Sequence, residues 1–270
     1  VERRWMEVAL HQLGPDGLAY MPVRGRPWAG IASEPYGGIG DASQLLIPFY
    51  NGRIASVLAL YTLRDPDGPW SATLRHLVDG LHELVLDDGE RACFWPSMGR
   101  GVKAADRPAD ARMPTSWINC EIRTAPLGLV HAYRASGYAP ALALAGRLNR
   151  YLREQFFRPD GAFISSQEAP HGPIHFHAHS ASLLAMVEYA REAGDDELMA
   201  FVKRSYKVAR SEGEPLSGYF PEFISPQAYH TSELCEVADM IALALKLSQA
   251  GAGDYWDDAD RWTRNMFAEG

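Results

Sequence analysis

The densest chemistry in the chain is the run His171-Gly172-Pro173-Ile174-His175-Phe176-His177-Ala178-His179-Ser180. On a helix, His171, His175 and His179 share a face through i, i+4 spacing; on a strand, His175, His177 and His179 do. Either arrangement can ligate a metal or hydrogen-bond sugar hydroxyls. The alternative is a polar helix start, marked by Pro173, whose imidazoles satisfy backbone groups. His175 is the best single candidate. A second segment is Gly218-Tyr219-Phe220-Pro221-Glu222-Phe223. A carboxyl group among aromatic rings loses hydration, which favours its protonated form and suits a general acid. An exposed loop glutamate is the plain alternative. The third segment, His230-Thr231-Ser232-Glu233-Leu234-Cys235-Glu236, opens an apolar helix. A carboxylate such as Glu233 in a first helical turn suits the helix dipole, and cysteine is more often a core residue than a ligand. Thiolate and carboxylate together would still supply two of zinc's four ligands.

The elements that must carry these residues repeat. Helical breaks recur at Ser136-Gly137, Ala193-Gly194-Asp195 and Gly251-Ala252-Gly253-Asp254. Each lies between two apolar-periodic stretches: 120–135 and 139–157, 176–192 and 196–212, 232–249 and 255–269. Turn signals follow the second helix of a pair, at Asp160-Gly161, Ser217-Gly218, Asp88-Gly89 and Asp16-Gly17, each leading into a short aromatic segment. An earlier pair is read as helices 42–63, with Asp41 as N-cap, and 71–87, capped by Ser71. Residues 2–12 form an unpaired opening helix, and residues 97–113 read as an inserted loop. The expectation is therefore an all-α chain: one domain, residues 1–270, of about four and a half helical hairpins. A spacing near 57 residues suits an (α/α)6 toroid better than short solenoid repeats such as the roughly 34-residue tetratricopeptide. Six hairpins need more chain than this, so a fragment incomplete at both ends is expected.

In such an array the hairpin junctions share one rim. Glu34, Tyr36, Asp41, Trp95, Trp117, Asn119, Glu121, the four histidines 171–179, Glu222, His230, Glu233 and Cys235 all fall near junctions. Carboxylates, imidazoles and aromatics converging on one concave surface suit carbohydrate chemistry. Tyr219, Glu34 and Trp95 join the histidines as candidate saccharide contacts. Composition excludes other classes. At 47% hydrophobic and 22% charged the chain has material for a core and is not disordered. The net charge of −8, with no basic block, argues against nucleic acid or an anionic membrane as partner. Three spaced cysteines, Cys93, Cys120 and Cys235, make no disulfide scaffold. No apolar run approaches a membrane span and no secretory leader opens the chain. The expected location is cytoplasmic, or periplasmic if a leader precedes Val1.

The run Ser232-Glu233-Leu234-Cys235, then Tyr255-Trp256-Asp257-Asp258, Arg261 and Asn265, resembles a signature of glycoside hydrolase family 127, the β-L-arabinofuranosidase-like proteins. The histidine segment resembles that family's His-x-Asn-Thr helix, which likewise ends in Gly-Asp, here Gly194-Asp195. Gly218 to Glu222 corresponds to its Gly-Gly…Glu segment. The resemblance covers about residues 170–269. It implies an (α/α)6 toroid, a retaining mechanism and a zinc-bound cysteine nucleophile. By position it implies Glu222 as acid/base, Glu233 and Cys235 as zinc ligands, and His175 as a sugar contact. The chain departs from the pattern in three places. The family's paired cysteines lie well downstream of Glu-x-Cys, beyond Gly270; His177 stands where the family has Asn; and Glu222 and Glu233 are closer in sequence than expected. Glu222 and Glu233 could also work as a carboxylate pair without metal.

The function expected from these residues is retaining cleavage of a glycosidic bond in a plant or bacterial saccharide. Two alternatives remain: a polysaccharide lyase on the same toroid, using a histidine with Tyr219 or Tyr229, and a non-catalytic saccharide-binding helical scaffold.

Overall fold

The helix breaks and turns read from the sequence coincide with left-handed glycines. In the computed structural model, which describes residues 2–22, 41–94, 98–100, 124–167, 171–172, 174–224 and 231–269, Gly137, Gly194 and Gly251 have φ of 64°, 66° and 69°. The third break therefore turns at Gly251 rather than Gly253, and the spacing becomes an even 57 residues twice. The turns after second helices pivot on Gly17, Gly89, Gly161 and Gly218, with φ between 77° and 96°. Each closes a short antiparallel bridge, Leu13 to Ala19, Phe157 to Phe163 and Glu214 to Tyr219, or a two-stranded ladder at the second turn.

Two compact units divide the chain, residues 1–150 and 151–270. The first contains α1 (Glu2–His11), β1 (Met21–Pro22), β2 (Asp41–Leu46), α2 (Pro48–Arg64), α3 (Trp70–Leu84), β3 (Val85–Asp87), β4 (Ala92–Phe94), β5 (Met98–Arg100), α4 (Ala125–Ser136) and most of α5 (Ala139–Phe156). Its helix α2 packs on both α3 and α4. First helices thus stack on first helices, as a hairpin array requires. The crossing of α2 and α4 is backbone-close. A Cβ on Gly128 would stand 2.1 Å from the Gly52 carbonyl oxygen, and one on Gly52 would meet the Ala125 backbone at 2.6 Å. Thr124 Oγ1 donates to the Phe49 carbonyl at 2.6 Å beside it. In an open helix, glycine to alanine gains up to about 1 kcal/mol. Gly128→Ala is expected to destabilise instead, by about 1–3 kcal/mol, because backbone must move. A lowered urea midpoint at unchanged slope would show it.

Two boundaries differ from the sequence reading. Residues 41–46 form strand β2, paired antiparallel with β1 and β5, not the start of a helix capped by Asp41. Pro48 at the first helical position holds Ile47 extended (φ −122°, ψ 113°), so α2 cannot reach further upstream. Helix α3 begins at Trp70, with Pro69 in the cap position, so Ser71 is already inside it. It ends at Leu84, where Val85–Asp87 pair with β4. Apart from Met98–Arg100, the inserted segment 97–113 lies outside the described residues.

The second unit contains β6 (Ile174–His175), α6 (Phe176–Ala193), α7 (Asp196–Ser211), β7 (Phe223–Ile224), α8 (Leu234–Gln249), α9 (Trp256–Trp262) and a π-helical turn, Thr263–Phe267. Helix α6 packs on α7 and α8, and α8 on α9. Phe176, Phe201, Tyr206, Phe220 and Trp262 are fully buried. Asp195 caps α7 through the Leu198 amide at 2.8 Å. No helix among the described residues is long and apolar enough to cross a membrane.

Candidate active site

Three segments of the second unit meet at the N-terminal ends of α6 and α8. Strand β6 pairs antiparallel with β7, Ile174 opposite Ile224 and His175 opposite Phe223. The Phe176 amide donates to the Glu222 carbonyl at 2.9 Å, and the Glu222 amide to the Thr231 carbonyl at 2.8 Å. The Tyr219 hydroxyl reaches the same carbonyl at 3.4 Å. The approach to Glu222 is anchored from below. Gly218 lies against the Trp262 ring, where a Cβ would come within 2.8 Å. Phe220 is buried, stacked on Phe176 with centroids 5.5 Å apart and edge-on to Trp262 at 5.0 Å. With Phe220 committed to the core, Glu222 is half-buried beside His175, whose ring lies 5.2 Å from that of Phe223.

The result is a convergence. A ring nitrogen of His175 and a carboxylate oxygen from each of Glu222 and Glu233 lie within 4.8 Å of one another. Glu233 is the N-cap of α8 in a reciprocal capping box: its side chain accepts from the Glu236 amide, and its own amide donates to Glu236 Oε1 at 2.7 Å. Its structural role, expected from the first-turn position, is therefore real and coexists with membership of the cluster.

A second trio, Glu233, Cys235 and Glu236, also falls within 4.8 Å. The Cys235 thiol faces Glu233 Oε2 at 3.1 Å and Glu236 Oε2 at 3.0 Å. Burial first, then hydrogen bonds to both carboxylates, pushes the thiol pKa well up. Burial also raises that of Glu236. A thiol between two carboxylates is a proton donor, not a nucleophile. As a donor set, one sulfur and two carboxylates fit a zinc-type cation, which would reverse that preference and hold the sulfur as thiolate.

The histidine run divides by role. His175 joins the carboxylates. His177 Nδ1 pairs with Asp239 Oδ2 at 2.7 Å, and Ser180 Oγ donates to the same oxygen at 2.6 Å. His179 is a correction to the saccharide contacts expected from sequence. It is 1% exposed, its ring nitrogens face the His175 and Ile164 carbonyls at 2.8 and 2.7 Å, and it stacks on Phe163 at 4.9 Å. Burial lowers its pKa. It satisfies backbone groups, the bland alternative the run had allowed. His171 is exposed in the turn before β6. Glu34, Trp95, Tyr229 and His230, with Tyr36, Trp117, Asn119 and Glu121, lie outside the described residues.

Sequence reasoning missed Glu236 and Asp239. A signal existed: both interrupt an apolar helix, three residues apart, and both are at most 9% exposed. The downstream motif proves to be scaffold. Asp258 accepts from the Tyr206 hydroxyl at 2.9 Å and from Arg210 at 2.8 and 3.1 Å. Trp262 Nε1 donates to the Pro215 carbonyl at 2.9 Å, and Asn265 to that of Leu216 at 3.3 Å. These bonds hold the turn from which the Glu222 segment departs.

Helical hairpins in this arrangement define the fold class of the α/α toroid, the six-hairpin glycosidase-like architecture. No family model matches the chain, and no curated protein does. Solved structures match it at low identity. The alpha-1,6-mannanase GH76A of a Salegentibacter species, in complex with alpha-1,6-mannotriose, is 15% identical, aligned over 100% of this chain and 70% of its own, with a TM-score of 0.68. A family 76 glycoside hydrolase from a bovine Bacteroides thetaiotaomicron strain is 11% identical over 96% of this chain and 54% of its own, at 0.68. The cellobiose 2-epimerase from Spirochaeta thermophila is 13% identical over 82% and 58%, at 0.63. These likenesses establish the fold. What they share with the family 127 resemblance is the toroid alone.

Proposed function

We propose that the protein is a carbohydrate-active enzyme that cleaves a glycosidic bond with retention, using Glu222 as acid/base and Glu233 as the opposing carboxylate. The observation that carries this is the convergence of His175, Glu222 and Glu233 within 4.8 Å. Retaining pairs stand about 5–5.5 Å apart and inverting pairs about 6.5–9.5 Å, and the close approach of oxygens from the two carboxylates favours the retaining reading. In the first half-reaction the Glu222 carboxylic acid gives its proton to the leaving oxygen while a Glu233 oxygen bonds to the anomeric carbon. In the second, the Glu222 carboxylate takes a proton from water, whose oxygen displaces Glu233. His175 hydrogen-bonds a sugar hydroxyl at the same point. The fold likeness to both mannanases and an epimerase supports sugar chemistry in general; the carboxylate pair is what favours hydrolysis.

Turnover of a panel of α- and β-linked oligosaccharides tests the reading. New reducing ends support it. Ultraviolet absorbance from an unsaturated uronide would indicate the lyase instead, and binding without any turnover the scaffold.

The alternative to Glu233 as nucleophile, favoured by the thiol set between two carboxylates, is zinc held by Glu233, Cys235 and Glu236. Bound there it would supply a deprotonated sulfur at neutral pH. Cobalt titration is expected to give a thiolate charge-transfer band. Cys235→Ser is expected to abolish that band and weaken zinc binding by at least about 10–100-fold, the loss typical of an outer-shell partner alone. Equal zinc affinity in the variant would exclude the site.

A further inference from the structure

The pair formed by His177 and Asp239 has no part in the cleavage chemistry above, yet it is built with care. Asp239 is 9% exposed on α8. Its Oδ2 accepts from Ser180 of α6 at 2.6 Å and faces His177 Nδ1 at 2.7 Å. Ser180 already ties the two helices together, so the imidazole is not needed to join them. A carboxylate beside Nδ1 fixes the proton on that nitrogen. Nε2 then carries a lone pair, and among the described residues it has no hydrogen-bond partner. The His177 side chain remains 18% exposed, and its ring is 6.0 Å from that of His175, at 88°. His175 in turn belongs to the carboxylate cluster.

We propose that His177 is a specificity-determining residue of the saccharide site, whose Nε2 accepts a hydrogen bond from one sugar hydroxyl, and that Asp239 is the positioning residue that holds the ring by its Nδ1–H. This rests on the saccharide reading above but not on hydrolysis. In its neutral form, a histidine whose Nδ1–H faces a carboxylate offers an acceptor at Nε2. A saccharide with the matching hydroxyl satisfies Nε2. One in which that hydroxyl is removed or O-methylated leaves Nε2 desolvated and unpaired, the situation in which polar sites discriminate most strongly. Ser180 contributes by holding Asp239 still.

The test uses the full chain, calorimetry and methyl glycosides of the common hexoses, pentoses and uronic acids, followed by the monodeoxy and mono-O-methyl series of the tightest binder. In the wild type, one deoxy position is expected to lose about 10–100-fold in affinity, the effect of one desolvated hydrogen bond. In His177→Ala that same position is expected to lose nothing further, while the other positions keep their wild-type penalties. Nitrogen NMR of the free protein is expected to show the Nδ1–H form for His177, and Asp239→Asn to shift it towards Nε2–H. Equal deoxy profiles in wild type and His177→Ala would overturn the proposal, as would an Nε2–H ring in the wild type. Binding without turnover, with the expected deoxy profile, sustains it and sinks only the hydrolase reading. No saccharide binding at all sinks both.

Discussion

Glu222→Gln is expected to remove turnover and leave saccharide binding in place. The substitution keeps the shape of the side chain and both backbone bonds of residue 222, from Phe176 and to Thr231, so the segment should fold as before. What is lost is the acid proton for the leaving oxygen and, later, the base for water. Each role is worth about 10²–10⁴ in rate. With unactivated oligosaccharides a fall of about 10³–10⁴ in kcat at near-constant KM is expected, because the departing alkoxide cannot leave unprotonated. With an aryl glycoside whose phenolate leaves by itself, the first step should be nearly spared, and added azide, which needs no base, should restore the second. A variant that loses affinity as much as rate would mean that Glu222 binds sugar rather than moving protons. Glu222→Gln at wild-type rate would remove it from the mechanism altogether.

The largest expected loss of stability is in the scaffold behind the site. Asp258 is 7% exposed and is the shared acceptor of Tyr206 and Arg210. Burial, followed by the charge and hydrogen bond of Asp258, drives the Tyr206 pKa far up. The hydroxyl is thus a committed donor. Arg210's own hydrogen bonds to Asp258 raise the pKa of the guanidinium. Asp258→Ala leaves a buried hydroxyl without its acceptor and a guanidinium without its carboxylate. The unsatisfied Tyr206 hydroxyl costs about 1–3 kcal/mol, and loss of the ion pair to Arg210, whose side chain is 38% exposed, adds about 1 kcal/mol. The sum of about 2–4 kcal/mol corresponds to a fall in Tm of roughly 4–16 °C, measurable by calorimetry. Because Trp262, four residues on, secures Pro215 and packs on Gly218, turnover should fall as well. Asp258→Asn retains an acceptor for Tyr206 and is expected to lose less. A variant as stable as the wild type would mean that the cluster is ornamental.

What could be read from the sequence was the rhythm. Glycine at a left-handed position and apolar periodicity are local facts, and they located Gly137, Gly194 and four turn glycines correctly. Strand β2 was not legible, because its partners β1 and β5 are distant in sequence and nothing local distinguishes Asp41–Leu46 from a helix start except Pro48 behind it. The site was half legible. Glu222, Glu233 and His175 were singled out by their neighbours, and they do meet. The four histidines looked equivalent, yet they differ through residues no spacing reveals: Ile164 and Phe163 enclose His179, Asp239 takes His177, and Glu222 lies beside His175. Likewise the Glu-x-Cys spacing pairs Cys235 with Glu233 alone, while the third member, Glu236, meets the thiol only once the helix start is folded.

The close carboxylate pair is tested most directly by the stereochemistry of the first product. Proton NMR of a cleaved glycoside, followed from the earliest turnover, reports the anomer released before mutarotation. On the proposed mechanism Glu233 attacks the sugar directly, in the place where an inverting enzyme would hold a water. The first anomer should therefore have the configuration of the bond that was cleaved. Initial release of the opposite anomer would contradict the pair as nucleophile and acid/base.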